Sequence, residues 1–171
     1  MAISIRPEGE GDRAAIFDVN ARAFATDAEA RLVDRLRDAG AATVSLVAER
    51  DGRVVGHVLF SPVRIVPDAG EVGAIGLAPV AVEPALQKTG IGGALIRAGF
   101  EACREHGHVL VFVLGHPSYY PRFGFEPAAR HGLAYEGGPA FAAAFFVREL
   151  VPGALAGRRG VVHYHAAFAA L

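Results

Sequence analysis

Residues 80–96 read VAVEPALQKTGIGGALI. Glycines 90, 92 and 93 stand where an apolar strand-like run, IGLAPVAV (75–82), gives way to a helix-like one. Backbone without side chains lets N–H groups approach a ligand closely. The first turn of a helix adds unpaired donors and the positive end of its dipole, so phosphate is the natural guest. Two familiar readings fail. A G-x-G-x-x-G dinucleotide fingerprint needs glycine at 95, where Leu95 stands. The nucleotide P-loop ends in G-K-[ST], and Gly90-Ile91-Gly92-Gly93 offers no such lysine.

Outward from this turn, elements follow in both directions. AISIRP alternates as a short first strand, and Asp12 is placed to cap a helix over RAAIFDVNARAF with Ile16, Val19 and Ala23 on one face. DAEARLVDRLRDAG gives a second helix that buries Leu32, Val33 and Leu36 and ends at Gly40. Two β-rich runs flank Asp51-Gly52, a hairpin signal. Pro79 interrupts the next strand and predicts a bulge or an unpaired edge there. A strand at 73–82, a helix at 91–106 and a strand at 108–114 predict a parallel, right-handed βαβ unit. AAFFVREL and GVVHYHAAF supply two late strands. The expected fold is mixed α/β, a mostly antiparallel twisted sheet flanked by helices. It forms a single domain over residues 1–171, with a core at about 3–130 and closing strands at about 140–171.

Composition narrows the function classes. The chain is 52% hydrophobic and 20% charged, with a formal charge of −1. There is no basic excess for nucleic acid. Cys103 is the only cysteine, which excludes an internal disulfide framework and a zinc cluster of cysteines. No apolar run reaches membrane-spanning length and the N-terminus has no signal-peptide core, so a cytoplasmic protein without membrane or metal is expected.

Gln87, Lys88, Thr89, Gly90, Ile91 and Gly92 together form Q-x-x-G-x-G between a strand and a helix. Downstream, YYPRFGFEP contains Tyr-x-x-x-Gly-Phe as Tyr120, Gly124 and Phe125. In these features the chain resembles the Gcn5-related N-acetyltransferase (GNAT) superfamily over roughly residues 3–130. GHVLFSPV, GLAPVAV and GHPSYYPRFGF are similar to its YhbS-type branch. The resemblance implies acetyl-coenzyme A as cosubstrate, with its pyrophosphate on Gln87, Lys88, Thr89, Gly90, Ile91, Gly92 and Gly93. It places the pantetheine along Val80, Ala81 and Val82, and Ser118 and Phe123 in contact with the same cosubstrate. Lys88 reads either as added charge near the phosphates or as a solvated lysine. The two late strands suit the family's closing hairpin.

Acetyl transfer to an amine needs a polarised carbonyl, a neutral nucleophile and a protonated leaving group. A break at Pro79 would free the Val80 N–H to face the carbonyl. The resemblance makes Tyr120 the acid. An unperturbed tyrosine near 10 stays protonated at neutral pH while able to serve a thiolate whose thiol sits near 8.5. The other reading of Tyr120 is an aromatic wall beside Phe123 and Phe125. Ser118 can orient the thiol or the tyrosine, and His116 can assist the proton or stand at the substrate mouth. Many members of the family it resembles carry a glutamate on the strand before the loop. This chain has none, with Glu71 upstream and Glu83 just after. His57 is a candidate base or a core histidine, and an ordered water is the remaining route. Phe24 borders the acceptor side by fold analogy. His163 and His165 share a strand face without a third metal ligand, and Cys103 reads as a buried hydrophobe.

The expected partners are acetyl-CoA, an amine on a small molecule or protein, and a second copy through VVHYHAAFAAL, unless that tail packs on its own chain. Transfer in a ternary complex is the leading expectation. A CoA- or acyl-CoA-binding sensor without catalysis is the alternative.

Overall fold

Asp51 and Gly52 both take positive φ, +52° and +75°. This is the backbone of the type I′ turn, whose twist matches that of the strands it joins. The computed structural model describes residues 2–67 and 73–171, so Glu71 lies outside the described residues. In chain order the regular elements are β1 (Ser4–Pro7), α1 (Arg13–Ala23), α2 (Ala28–Asp38), β2 (Val44–Arg50), β3 (Arg53–Pro62), β4 (Arg64–Val66), β5 (Ala74–Val82), α3 (Ile91–Glu105), β6 (Leu110–Leu114), β7 (Glu126–Pro127), β8 (Leu133–Tyr135), β9 (Phe145–Glu149) and β10 (Gly160–His163). They fall into two compact units, one of Met1–Ser61, Ala78–Glu101 and Ala166–Leu171, the other of Pro62–Leu77 and Ala102–His165.

In the first unit β1 pairs antiparallel with β2, and β2 with β3. Residues opposite one another in an antiparallel ladder share a face. Val47 and His57, and Ser45 and Leu59, therefore look one way, and Ala48 and Gly56 the other. Ile16 of α1 and Leu32, Val33 and Leu36 of α2 close over Val47 and Leu59, as the helical spacing predicts. The C-terminal Ala167 and Phe168 pack on this same cluster, so part of the apolar tail is covered by its own chain. On the opposite face α3 lies close to β3. A Cβ at Gly56 would sit 3.0 Å from Leu95, and one at Gly99 would sit 2.2 Å from the ring of Phe60. Gly99→Ala is accordingly expected to cost about 1–3 kcal/mol in urea unfolding by overpacking a buried ring. Gly11→Ala, where nothing lies within 4 Å, should be near neutral in the same assay.

The expected Asp12 cap of α1 is not made. The Asp12 carboxylate instead takes the Gly9 N–H at 2.6 Å and both terminal nitrogens of Arg6, at 2.6 and 3.1 Å. The charged guanidinium and the Gly9 N–H together occupy both carboxylate oxygens, turning them back from α1.

In the second unit β5 runs parallel to β6, with Ala74 opposite Leu110 and Gly76 opposite Phe112, the parallel pairing read from the sequence. That ladder ends at Gly76, and β5 itself continues through Pro79 to Val82. β9 adds antiparallel to β6, and β7 to β9, which makes the sheet mixed. Phe112 and Phe145 stack at 5.6 Å in its core, beside Leu110, Leu133, Val147 and Val162.

The expected closing hairpin is corrected here. β10 does not pair with β9. It lies in a separate three-stranded sheet, antiparallel to β4 and parallel to β8. The connecting segment explains this. Leu150 N–H bonds Val109 O at 2.8 Å, Leu155 N–H bonds the Glu149 carboxylate at 2.8 Å, and Gly160 N–H reaches Gly132 O at 3.0 Å. The chain is thereby tied first beside β6 and then beside β8. The strand also stops at His163, so His165 does not share its face as expected. Among the described residues no helix is long and apolar enough to cross a membrane.

Candidate active site

The glycine turn belongs to the first unit. β5 ends at Val82, a 3-10 turn follows at Pro84–Leu86, and Gln87, Lys88, Thr89 and Gly90 are exposed. Side chains brace the turn from within. Gln87 donates to Val82 O at 3.2 Å, and the Thr89 hydroxyl donates to Leu86 O at 2.5 Å. Lys88 and Gly90 both occupy the left-handed region, at φ +64° and +96°. This lets the chain reverse sharply into α3. The helix opens with Ala94 N–H bonding Gly90 O at 3.0 Å. The N–H groups of Ile91, Gly92 and Gly93 precede that first donor and have no acceptor within the helix. No acidic residue stands in the first turn of α3 to compete for them. An exposed turn, donors without an intrahelical acceptor and the positive dipole end suit a diphosphate.

The root of the turn is anchored twice. Glu83 N–H bonds Val55 O at 2.8 Å, and the Glu83 carboxylate holds the Arg22 guanidinium through three bonds of 2.7–3.0 Å. Glu83 is thus committed to an ion pair. Arg22 is near the end of α1, and Phe24, which caps that helix, is 37% exposed. Along β5, Val80 and Val82 are half-buried and Ala81 is buried, the alternation of an extended strand.

His57 is the surprise of this unit. It has no solvent-exposed surface, and both ring nitrogens are engaged. Asn20 donates to Nδ1 at 3.1 Å while also donating to Ile16 O at 2.9 Å. Nε2 therefore carries the proton and bonds the Ser45 hydroxyl at 2.9 Å. Ser45 passes its own proton toward Glu8, which also takes two bonds from Arg37, at 3.1 and 3.2 Å. Burial, with Arg37 reinforcing it and Glu8 opposing it, pushes the His57 pKa down to about 4. Burial works to raise Glu8, but bonds from Arg37 and Ser45 outweigh it and hold that carboxylate below its ordinary value. A ring so enclosed is a core histidine, and the base role considered for it has no route to solvent. Nothing in local periodicity marks Asn20, Ser45 or Glu8 as its partners.

Tyr120, Ser118, Phe123 and His116 lie in the second unit. After β6 the chain turns through Pro117 into a 3-10 turn at Tyr120–Phe123. Tyr120 is only 8% exposed and packs edge-on against Tyr119 at 5.1 Å and Phe125 at 5.7 Å. Its ring lies against the backbone at Gly115, where a Cβ would come within 2.3 Å. Burial, with Tyr119 adding to it, pushes its hydroxyl up to about 12. Phe123 is buried and meets Tyr119 at 5.1 Å, whereas Ser118 and His116 are exposed. Cys103 is buried, and burial raises its thiol to about 12, so the expected inert packing role fits. His163 faces Glu136 at 3.4 Å. Among the described residues no cluster of His, Cys, Asp or Glu is arranged to hold a metal.

Comparison with known proteins shows the family. Residues 4–128 match the family model described as "Acetyltransferase (GNAT) domain". The chain is 40% identical to the uncharacterised N-acetyltransferase YhbS of Escherichia coli, over 96% of this chain and 97% of the relative. The crystal structure of Escherichia coli YhbS in complex with CoA superposes with a TM-score of 0.92 at 39% identity, covering 98% of this chain and 92% of that one. A GNAT family acetyltransferase from Brucella melitensis, solved with acetyl-CoA, gives 0.81 at 40% identity, covering 98% of each chain.

Proposed function

Since the chain belongs to the GNAT acetyltransferase family, we propose that residues 1–171 act as one catalytic domain that moves an acetyl group from acetyl-CoA to a primary amine in a ternary complex. The observation that carries this reading is the exposed turn Gln87–Gly90, followed by the N–H groups of Ile91, Gly92 and Gly93, which have no acceptor within the helix. Those donors take the pyrophosphate, and β5 at Val80, Ala81 and Val82 takes the pantetheine. Ser118 and Phe123 complete the contacts. The amine nitrogen forms the new C–N bond as the C–S bond breaks. Tyr120 gives its proton to the departing sulfur, and the proton lost from nitrogen passes to water. The similar structures with CoA and acetyl-CoA support the choice of cosubstrate.

The test is thermal stability with and without acetyl-CoA. At about 100 times its Kd the cosubstrate should stabilise the protein by roughly 2.7 kcal/mol. For a chain of this length that raises Tm by about 5–10 °C. Gly92→Glu, folded but carrying a carboxylate at the helix start, should show no shift. Absence of a shift in the wild type would remove the cosubstrate assignment. One observation favours a sensor that binds CoA without turnover: the strand AIGLAPVAV carries no carboxylate, and Glu83 is held by Arg22. Turnover of any amine in a broad panel excludes the sensor.

A further inference from the structure

The second unit contains a groove of about 360 Å³ between β8, the start of β9, β10 and the 3-10 turn at Pro139–Ala144. Leu133, Tyr135, Ala142, Phe145 and Val161 give it apolar and aromatic walls, and Glu136 supplies a carboxylate. No lysine or arginine is among its lining residues. Tyr135 meets Phe145 at 5.5 Å and Phe141 at 5.3 Å, so aromatic faces and edges cluster beside the carboxylate. Glu136 is held in place, accepting the Tyr164 N–H at 2.7 Å and facing His163 Nδ1 at 3.4 Å. Its field reaches the walls. Burial and then Glu136 raise the hydroxyl of Tyr135 above its ordinary value.

An apolar cleft with aromatic walls and one carboxylate is the chemistry that recognises an organic ammonium. We propose that this groove binds the acceptor, and that the acceptor is a primary amine with an aryl or alkyl body whose ammonium docks at Glu136. The proposal rests on the acetyltransferase reading above and names the substrate class for it. Tyr164, beside the groove, meets Tyr135 edge-on at 5.7 Å. The groove, Tyr164 and the proposed acid Tyr120 all belong to the same compact unit.

Three probes of similar size separate the contributions: 2-phenylethylamine, 2-phenylethanol without the charge, and ethanolamine without the apolar body. Titration into the full-length protein by calorimetry should show the amine binding about tenfold or more tighter than either control, a difference of about 1.4 kcal/mol. Glu136→Gln should erase that advantage and raise the KM for acetylation of 2-phenylethylamine by about tenfold. Ala142→Trp, at an exposed lining position, should block binding by filling the groove. Both variants should keep the acetyl-CoA shift in Tm. Equal binding of the three probes, or variants that bind and turn over the amine like wild type, would overturn the groove while leaving the acetyltransferase reading intact. Binding of the amine at Glu136 in a protein that acetyl-CoA does not stabilise would overturn the acceptor role together with that reading.

Discussion

Tyr120→Phe is expected to lower kcat by about 10²–10⁴-fold, the range for loss of a positioned general acid, while the acetyl-CoA shift in Tm persists. The substitution removes only a hydroxyl. The ring contacts with Gly115, Tyr119 and Phe125 survive, so a folding defect should not intervene. The raised pKa of about 12 has two consequences. Tyr120 is fully protonated at every pH at which the enzyme can be assayed, so it is always loaded. It is also a weak acid, and delivering a proton to a thiolate whose thiol is near 8.5 would be uphill by about 3.5 pH units, or roughly 5 kcal/mol. Desolvation of the departing thiolate would close this gap. Cys103 shows what burial does to a thiol in this protein, raising it to about 12. A thiolate released into an equally dry setting would match Tyr120 as a proton acceptor. The pH profile of kcat should therefore show no alkaline fall attributable to Tyr120 below about pH 10. A variant with unchanged kcat would return Tyr120 to the aromatic wall.

Local chemistry made the frame of this protein readable, and non-local pairing hid the rest. The Asp51-Gly52 hairpin, the parallel β5–α3–β6 passage and the glycine turn each depend on residues within one short stretch. Their signals are complete in sequence. β10 was also visible as a strand, but its partners are not local. Its ladder with β4 and β8 replaces a hairpin with β9 because Leu150, Leu155 and Gly160 find backbone and side-chain partners elsewhere. Asp12 lost its capping role to Arg6, a competition that propensity cannot price. The same limit governs the sites. Gln87–Gly93 lie in one run, whereas Glu136, Tyr135, Phe145 and Val161 meet only after three strands assemble. His57 could be noticed from its type alone. Its enclosure by Asn20, Ser45 and Glu8, drawn from α1, β2 and the segment after β1, could not.

That enclosure predicts how the fold fails in acid. His57 titrates near 6.5 when unfolded and at about 4 when folded, so folding depresses its pKa. Above pH 6.5 both states are neutral there and its contribution is complete. As pH falls below 6.5 the unfolded chain takes up a proton that the native protein refuses, and stability declines until about pH 4, where the native ring protonates too. At 1.36 kcal/mol per unit, the loss across this window is about 3 kcal/mol. His108, depressed by burial and by His106, adds to the loss in the same direction. Glu8, Asp12 and Asp38 all have depressed pKa values, so their losses begin as pH falls into the ordinary carboxylate range, where the unfolded chain takes up protons first, and continue below it. Urea unfolding of wild type and His57→Gln from pH 7 to pH 4 separates these sources. The variant should be less stable at pH 7, because the hydrogen-bond chain from Asn20 to Glu8 is disturbed. Its stability should then fall more shallowly between pH 6.5 and 4.5, retaining the His108 slope and the onset of the carboxylate losses. Parallel slopes for the two proteins would mean that His57 takes up its proton in the native state as readily as in the unfolded one. Such an exchange requires access to water, and with it the base role that burial denies the ring would be restored.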